Sequence, residues 1–157
     1  MTEHWAPQYR LEQEQFISRP RTEVFAFFSD AMNLERLTPP FLNFKVLTPA
    51  PIEMKADAII DYTLSLYGVG FHWKTRIESF TPESSFVDTQ ERGPYALWHH
   101  THTFEDAPGG TLMRDLVVYR LPLGPLGPIG HSLFVRSQLQ RIFDYRRAAI
   151  SEIFGVG

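Results

Sequence analysis

The chain has 157 residues, 43% hydrophobic and 21% charged, with a formal net charge of -3 and no cysteine. That length suits one domain over 1–157 and leaves no room for a second catalytic domain. The missing cysteines exclude disulfides, thiolate metal sites and cysteine nucleophiles, and a slightly acidic chain without any Lys/Arg run argues against nucleic acid as a partner.

The opening "MTEHWAPQYR" lacks the apolar h-region of a signal peptide, and no segment approaches the ~20 apolar residues of a membrane span. A cytoplasmic protein without integral membrane association is the expectation. Residues 9–17, "YRLEQEQFI", alternate as a strand does. In "SRPRTEVFAFFSD" a serine precedes Pro20, and Val24, Phe25 and Phe28 recur at helical spacing, which predicts a short helix over 20–28. "NLERL" predicts a second short helix, which must stop before Pro39 because a residue ahead of proline is pushed out of helical angles.

From about 41 to 120 the period becomes two. "FLNFKVL", "AIIDYTLSLY", "FHWKTRIESF", "SFVDTQE", "LWHHTHTF" and "TLMRDLVVYR" read as six further strands. The separators "GVG", "TPES", "GP" and "EDAPGG" are short turn sequences, so neighbouring strands should form antiparallel hairpins in a meander. "LPLGPLGPIG", residues 121–130, is too rich in Pro and Gly for a regular element and reads as a loop. After it Val135, Leu139, Ile142, Phe143, Ala149, Ile150 and Ile153 return to three- and four-residue spacing. They predict an amphipathic helix of about 25 residues ending near Gly155. Arg141, Arg146 and Arg147 of this helix read as exposed charge that could touch acidic lipid or a partner.

Alternation assigns each strand a buried face. Ala58, Ile60, Tyr62, Leu64 and Leu66 match Phe71, Trp73 and Ile77, with Leu66 opposite Phe71. The same face continues through Phe86, Asp88 and Gln90, then Trp98, His100, His102 and Phe104, then Thr111, Met113, Asp115, Val117 and Tyr119. Pairing Phe104 with Thr111 puts His102 opposite Met113, His100 opposite Asp115 and Trp98 opposite Val117. Pairing Gln90 with Trp98 puts Asp88 opposite His100. The expected inner row is therefore Asp88, His100, Asp115, while His99 faces outward.

One strand, two short helices, six strands and a long helix is the element order of the helix-grip fold. On "FISRPRTEVFAFFSDAMNLERLTP", "ERGPYALWHHTHTF", "MRDLVVYRLPLGPLG" and "LQRIFDYR" the chain resembles the START-like superfamily that includes the birch pollen allergen. Within it the chain resembles bacterial polyketide cyclase/dehydrase-like (SRPBCC) ligand-binding proteins, some loosely labelled cell division inhibitors. The resemblance implies an α+β fold: a curved antiparallel seven-stranded sheet wrapped around a long C-terminal helix, with two short helices between strands 1 and 2. It also implies an apolar cavity between sheet and helix. No catalytic set carries over from it residue by residue.

Tyr62, Phe71, Trp73, Trp98, His100, His102, Phe104, Asp115 and Tyr119 on the sheet, with Leu139, Ile142 and Phe143 on the helix, are the candidate ligand-binding residues. His100-x-His102 has the spacing of a pair of metal ligands, with Asp115 or Asp88 as a third, but so short a signal arises by chance and no metal or cofactor is expected. The expected function is sequestration of a small hydrophobic molecule, such as a polyketide, quinone, lipid or sterol-like compound, with the polar row orienting it. The alternative is a cyclase or dehydratase using His100 as acid/base, with Asp88 and Asp115 as candidate catalytic carboxylates. A protein-interaction module with a protein partner is the third reading.

Overall fold

The computed structural model describes residues 8–66, 68–122 and 134–155. Strand β1 (Gln8–Ile17) leads into helix α1 (Arg21–Phe28) and two 3-10 helices, Ala31–Leu37 and Pro40–Leu42. Strands β2 (Lys45–Val46), β3 (Ile59–Leu66), β4 (Val69–Thr81), β5 (Ser85–Arg92), β6 (Leu97–Ala107) and β7 (Gly110–Arg120) follow, and helix α2 (Arg136–Phe154) closes the chain. The sheet order is β1-β7-β6-β5-β4-β3-β2, so β2 to β7 form the expected meander and β1 joins its far edge beside β7. This is the helix-grip arrangement. Among the described residues no helix is long and apolar enough to cross a membrane.

Local sequence explains the elements. Thr38, ahead of Pro39, sits at φ -109 and ψ 131, the extended geometry that ends the preceding 3-10 helix. The stretch expected as a strand over 41–47 shrinks to the pair Lys45–Val46. Pro40 begins a helical turn instead, and Asn43 leaves it in the left-handed region at φ 48, where a short amide side chain is tolerated. The loop expected over 121–130 lies mostly outside the described residues.

Two hairpin registers differ from expectation by two residues. Leu66 pairs with Val69, not Phe71. Phe104 pairs with Met113, His102 with Asp115, His100 with Val117 and Trp98 with Tyr119. The cause is turn length. Glu105 to Ala107 continue the ladder, leaving Pro108 and Gly109 as a two-residue turn in which Gly109 takes φ 83, a conformation glycine adopts without penalty. Asp88 pairs with His100 as expected. Between β4 and β5 the register shifts at Lys74/Thr75 and at Ile77/Ser79, which brings Phe80 inward beside Ile77.

Helix α2 lies across the concave face. Its C-terminal half buries Ile150 and Phe154 against Ile17, Phe28, Phe104 and Met113. Phe25 meets Phe104 edge-on at 5.3 Å and 82°, a geometry worth about 0.5–1.5 kcal/mol beyond area burial. Toward its N-terminus Leu139 and Phe143 pack on Val117, Tyr119 and Leu121. Gln15 Nε2 donates to the Arg147 carbonyl at 3.1 Å and to Ser151 Oγ at 3.0 Å, tying β1 to the helix. At Gly110 an added Cβ would collide with the Ile17 carbonyl oxygen. Gly110→Ala is therefore expected to cost about 1–3 kcal/mol, read as a lower urea midpoint at unchanged m-value. An unchanged midpoint would mean that β1 and β7 are not so closely apposed.

Candidate functional site

Sheet, α2 and the first 3-10 helix do not close completely on one another. They leave a cavity of about 180 Å³. Its walls include Leu64, Leu66, Trp73, Ile77, Phe86 and Trp98 from the sheet, Leu34, Leu37 and Leu42 from the 3-10 helices, and Leu139, Ile142 and Phe143 from α2. The sheet supplies this wall because alternate residues of each strand share its concave face. The rings interlock: Trp73 stacks on Tyr62 at 5.8 Å and meets Trp98 edge-on at 5.3 Å.

One region of the lining is polar. Asp88, His100, His102 and Arg146 meet there, with Asp115 behind them. Each histidine bonds the carboxylate diagonal to it across the strands. His100 Nε2 is 2.9 Å from Asp115 Oδ1, and His102 Nε2 is 2.6 Å from Asp88 Oδ2. The two imidazoles stack at 3.7 Å. Arg146 holds Asp115 with both prongs, Nε to Oδ2 at 3.0 Å and Nη2 to Oδ1 at 3.2 Å. The remaining approaches, His100 Nδ1 to Asp88 Oδ2 at 3.7 Å and His102 Nδ1 to Asp115 Oδ1 at 3.4 Å, give Coulomb attraction without an aligned hydrogen bond.

These contacts set the proton affinities. Burial alone would raise Asp115, but Arg146 and the two imidazoles hold it well below the usual carboxylate range. Burial opposes ionisation of Asp88 too, and the charges of His100, His102 and Arg146 with the His102 hydrogen bond bring it below its ordinary value. The histidines diverge. Burial and the neighbouring His102 charge lower His100, while the carboxylates Asp115 and Asp88 outweigh burial and raise His102. Of the two rings, His102 therefore holds a second proton more firmly than His100.

The residues singled out from sequence separate into two groups. Tyr62, Trp73, Asp88, Trp98, His100, His102, Leu139, Ile142 and Phe143 line the cavity. Phe104, Tyr119, Phe71 and Asp115 do not. Phe104 is enclosed by Phe25, Phe28 and Phe86, and Tyr119 by Tyr9, Tyr95 and Trp98. Phe71 is not part of the lining, although its cross-strand partner Leu64 is. Asp115 is buried beneath the imidazoles because the register shift sets it opposite His102. His99 faces outward toward Glu78 at 3.3 Å, as expected.

Arg146, assigned to an exposed face from sequence, is buried and central. The signal for it was the spacing: the buried residues of α2 are Leu139, Phe143, Arg146, Ile150 and Phe154, an unbroken 4-3-4-4 stripe with Arg146 on it. Arg141 and Arg147 also have partners. The Arg141 guanidinium lies 4.6 Å over the Phe41 ring, and Arg147 Nη1 donates to the Glu14 carbonyl at 2.7 Å.

Asp88, His100 and His102 each offer a ligand atom within 4.8 Å of the others, so they could hold a divalent ion. The donor set is already committed, however. The short His102–Asp88 contact holds a proton that an ion would have to displace, and His100 has only Nδ1 to spare.

Residues 17–141 match the sequence profile of a family described as polyketide cyclase / dehydrase and lipid transport. The fold is similar to that of the Zhui aromatase/cyclase from Streptomyces sp. R1128, with a TM-score of 0.73 at 13% identity over 96% of this chain and 99% of that one. A major latex-like protein from Panax ginseng gives 0.67 at 12% identity, over 94% and 98% of the two chains. A nucleoside-diphosphate sugar epimerase from Corynebacterium glutamicum is 30% identical, with a TM-score of 0.67 over 90% of this chain. This chain spans only 28% of that protein's length. No curated protein matches.

Proposed function

From the premise that this chain belongs to the polyketide cyclase/dehydrase and lipid transport family, we propose that it binds and sequesters a small hydrophobic molecule between sheet and helix. The observation that carries this reading is the cavity itself: apolar walls with one polar patch, made of the residues a tightly packed core would have brought together. Affinity comes from apolar burial at about 25 cal/mol per Å², and orientation comes from the patch around Asp88, His100 and His102. Native mass spectrometry of freshly purified protein, followed by organic extraction, tests it. A stoichiometric apolar compound released on denaturation is the expected result; an empty protein from several expression hosts would contradict it.

A second reading is favoured by one specific feature. Two stacked histidines with opposite shifts in proton affinity at a cavity wall are suited to hold a base and an acid side by side, as a cyclisation or dehydration requires. The extraction separates the two readings. A sequestering protein returns an added polyketide unchanged, whereas a cyclase returns it with a ring closed or water lost.

A further inference from the structure

We infer that the cavity selects an apolar ligand ending in a neutral hydroxyl, such as a phenol, enol or alcohol, over one ending in a carboxylate or an ammonium group. The inference rests on the binding reading above and specifies what the polar patch recognises.

Asp88 is the member of the cluster that a ligand meets first. The side chain of Asp88 is 16% exposed, against 9% for His100, 8% for Arg146, 5% for His102 and 0% for Asp115. The most accessible group is thus an anion, and the cationic groups lie behind it. Asp88 Oδ2 accepts from His102, while Oδ1 has no hydrogen-bond partner among the described residues. A ligand donor can complete it. A ligand carboxylate, by contrast, would bring a second negative charge against Asp88 in an apolar enclosure.

A second pair of groups reinforces the choice. Tyr62 Oη and Thr75 Oγ1, both on the cavity wall, are 3.1 Å apart. Two hydroxyls share one bond there, so one O–H remains to donate. Asp88 is close enough to act on Tyr62, and burial together with that negative charge keeps the phenol protonated. A hydroxyl can both donate to Asp88 and accept from this pair, whereas a carboxylate cannot donate and an ammonium cannot accept.

Trp73 Nε1, without a hydrogen-bond partner among the described residues, is a further donor on the wall, open to a hydroxyl oxygen, whereas three polar residues near the 3-10 helices are committed to backbone groups. Asp30 accepts from the Met32 amide at 3.0 Å, Asn33 Nδ2 donates to the Phe27 carbonyl at 3.0 Å, and Thr38 Oγ1 donates to the Leu34 carbonyl at 2.6 Å. Both carboxylates of the cluster already have partners without a ligand ion: Asp115 is gripped by Arg146 and His100, and Asp88 by His102. An ammonium ligand would have to compete with those partners and bring a further positive charge beside Arg146.

Calorimetric titration at pH 7.5 with one apolar frame and five ends tests this: naphthalene, 2-methoxynaphthalene, 2-naphthol, 2-naphthoate and 2-(aminomethyl)naphthalene. The naphthol is expected to bind at least tenfold more tightly than each of the others. In Asp88→Asn its advantage over the methyl ether should fall to threefold or less. Equal affinity for naphthol and ether, or tighter binding of the naphthoate or the amine, would overturn the hydroxyl preference and leave the hydrophobic-binding reading standing. Failure of all five to bind would overturn both. The series on the unmodified protein decides the matter even if the variant does not fold.

Discussion

Replacing Arg146 with Met is expected to destabilise the protein by about 3–5 kcal/mol. The loss arises because Asp115, whose side chain is wholly buried, keeps its charge while both guanidinium hydrogen bonds disappear. His100 remains as a partner, but burial and its neighbour His102 disfavour its protonation, so it cannot replace the lost cation. The paired change Arg146→Met with Asp115→Asn should recover at least half of the loss. The amide oxygen of Asn can still accept from His100 Nε2, and no uncompensated ion is left. Urea midpoints for the two single variants and the double variant complete the cycle. If the single Arg146 variant lost less than about 1 kcal/mol, the value of an exposed ion pair, the buried pairing would be refuted.

The same cluster should make stability pass through a maximum near pH 6.5, the ordinary histidine value. His102 is raised on folding, so its contribution is fully present below that value and is lost as pH rises through its folded pKa. His100 is lowered on folding. As pH falls below the ordinary value the unfolded chain takes up a proton that the folded one refuses, and stability falls. Below about pH 4 a steeper loss follows, because Asp88 and Asp115 are both held below their ordinary value and the unfolded chain protonates first. Urea midpoints across about pH 4 to 9 should therefore fall on both sides of the ordinary histidine value. His102→Asn should flatten the alkaline limb and also weaken the acid limb, because the His102 charge is part of what lowers His100. A midpoint that climbs steadily from pH 5 to pH 9 would contradict the assignment.

Much of this was legible in the sequence, and the reason is parity. The β3–β4 and β6–β7 registers moved by two residues, and a shift of two keeps every side chain on its face. Trp73, Trp98, His100 and His102 therefore line the cavity as expected even though their cross-strand neighbours changed. The neighbours are what sequence could not supply. Whether "EDA" extends β6 or opens a loop depends on ladder hydrogen bonds, and that choice moved Asp115 from opposite His100 to opposite His102. The bonds then crossed back diagonally, returning Asp115 to His100 and giving Asp88 to His102. Arg146 was missed for a different reason. Its charge points to an exposed face, whereas 4-3-4-4 spacing with Leu139, Phe143, Ile150 and Phe154 places it on the buried stripe. The short β2 was overestimated because Pro40 and Asn43 favour a turn locally, against a period-two pattern.

The most direct measurement is a nitrogen-15 imidazole spectrum at pH 6.5, recorded before and after 2-naphthol is added. The free protein should show His102 as a cation and His100 as a neutral ring with its proton on Nε2, facing Asp115. Added naphthol should move both sets of signals and leave those of His72 and His99, on the opposite face of the sheet, where they were. Two rings in the same charge state, or ligand-induced shifts confined to His72 and His99, would contradict a cavity whose polar end is the Asp88–His100–His102 patch.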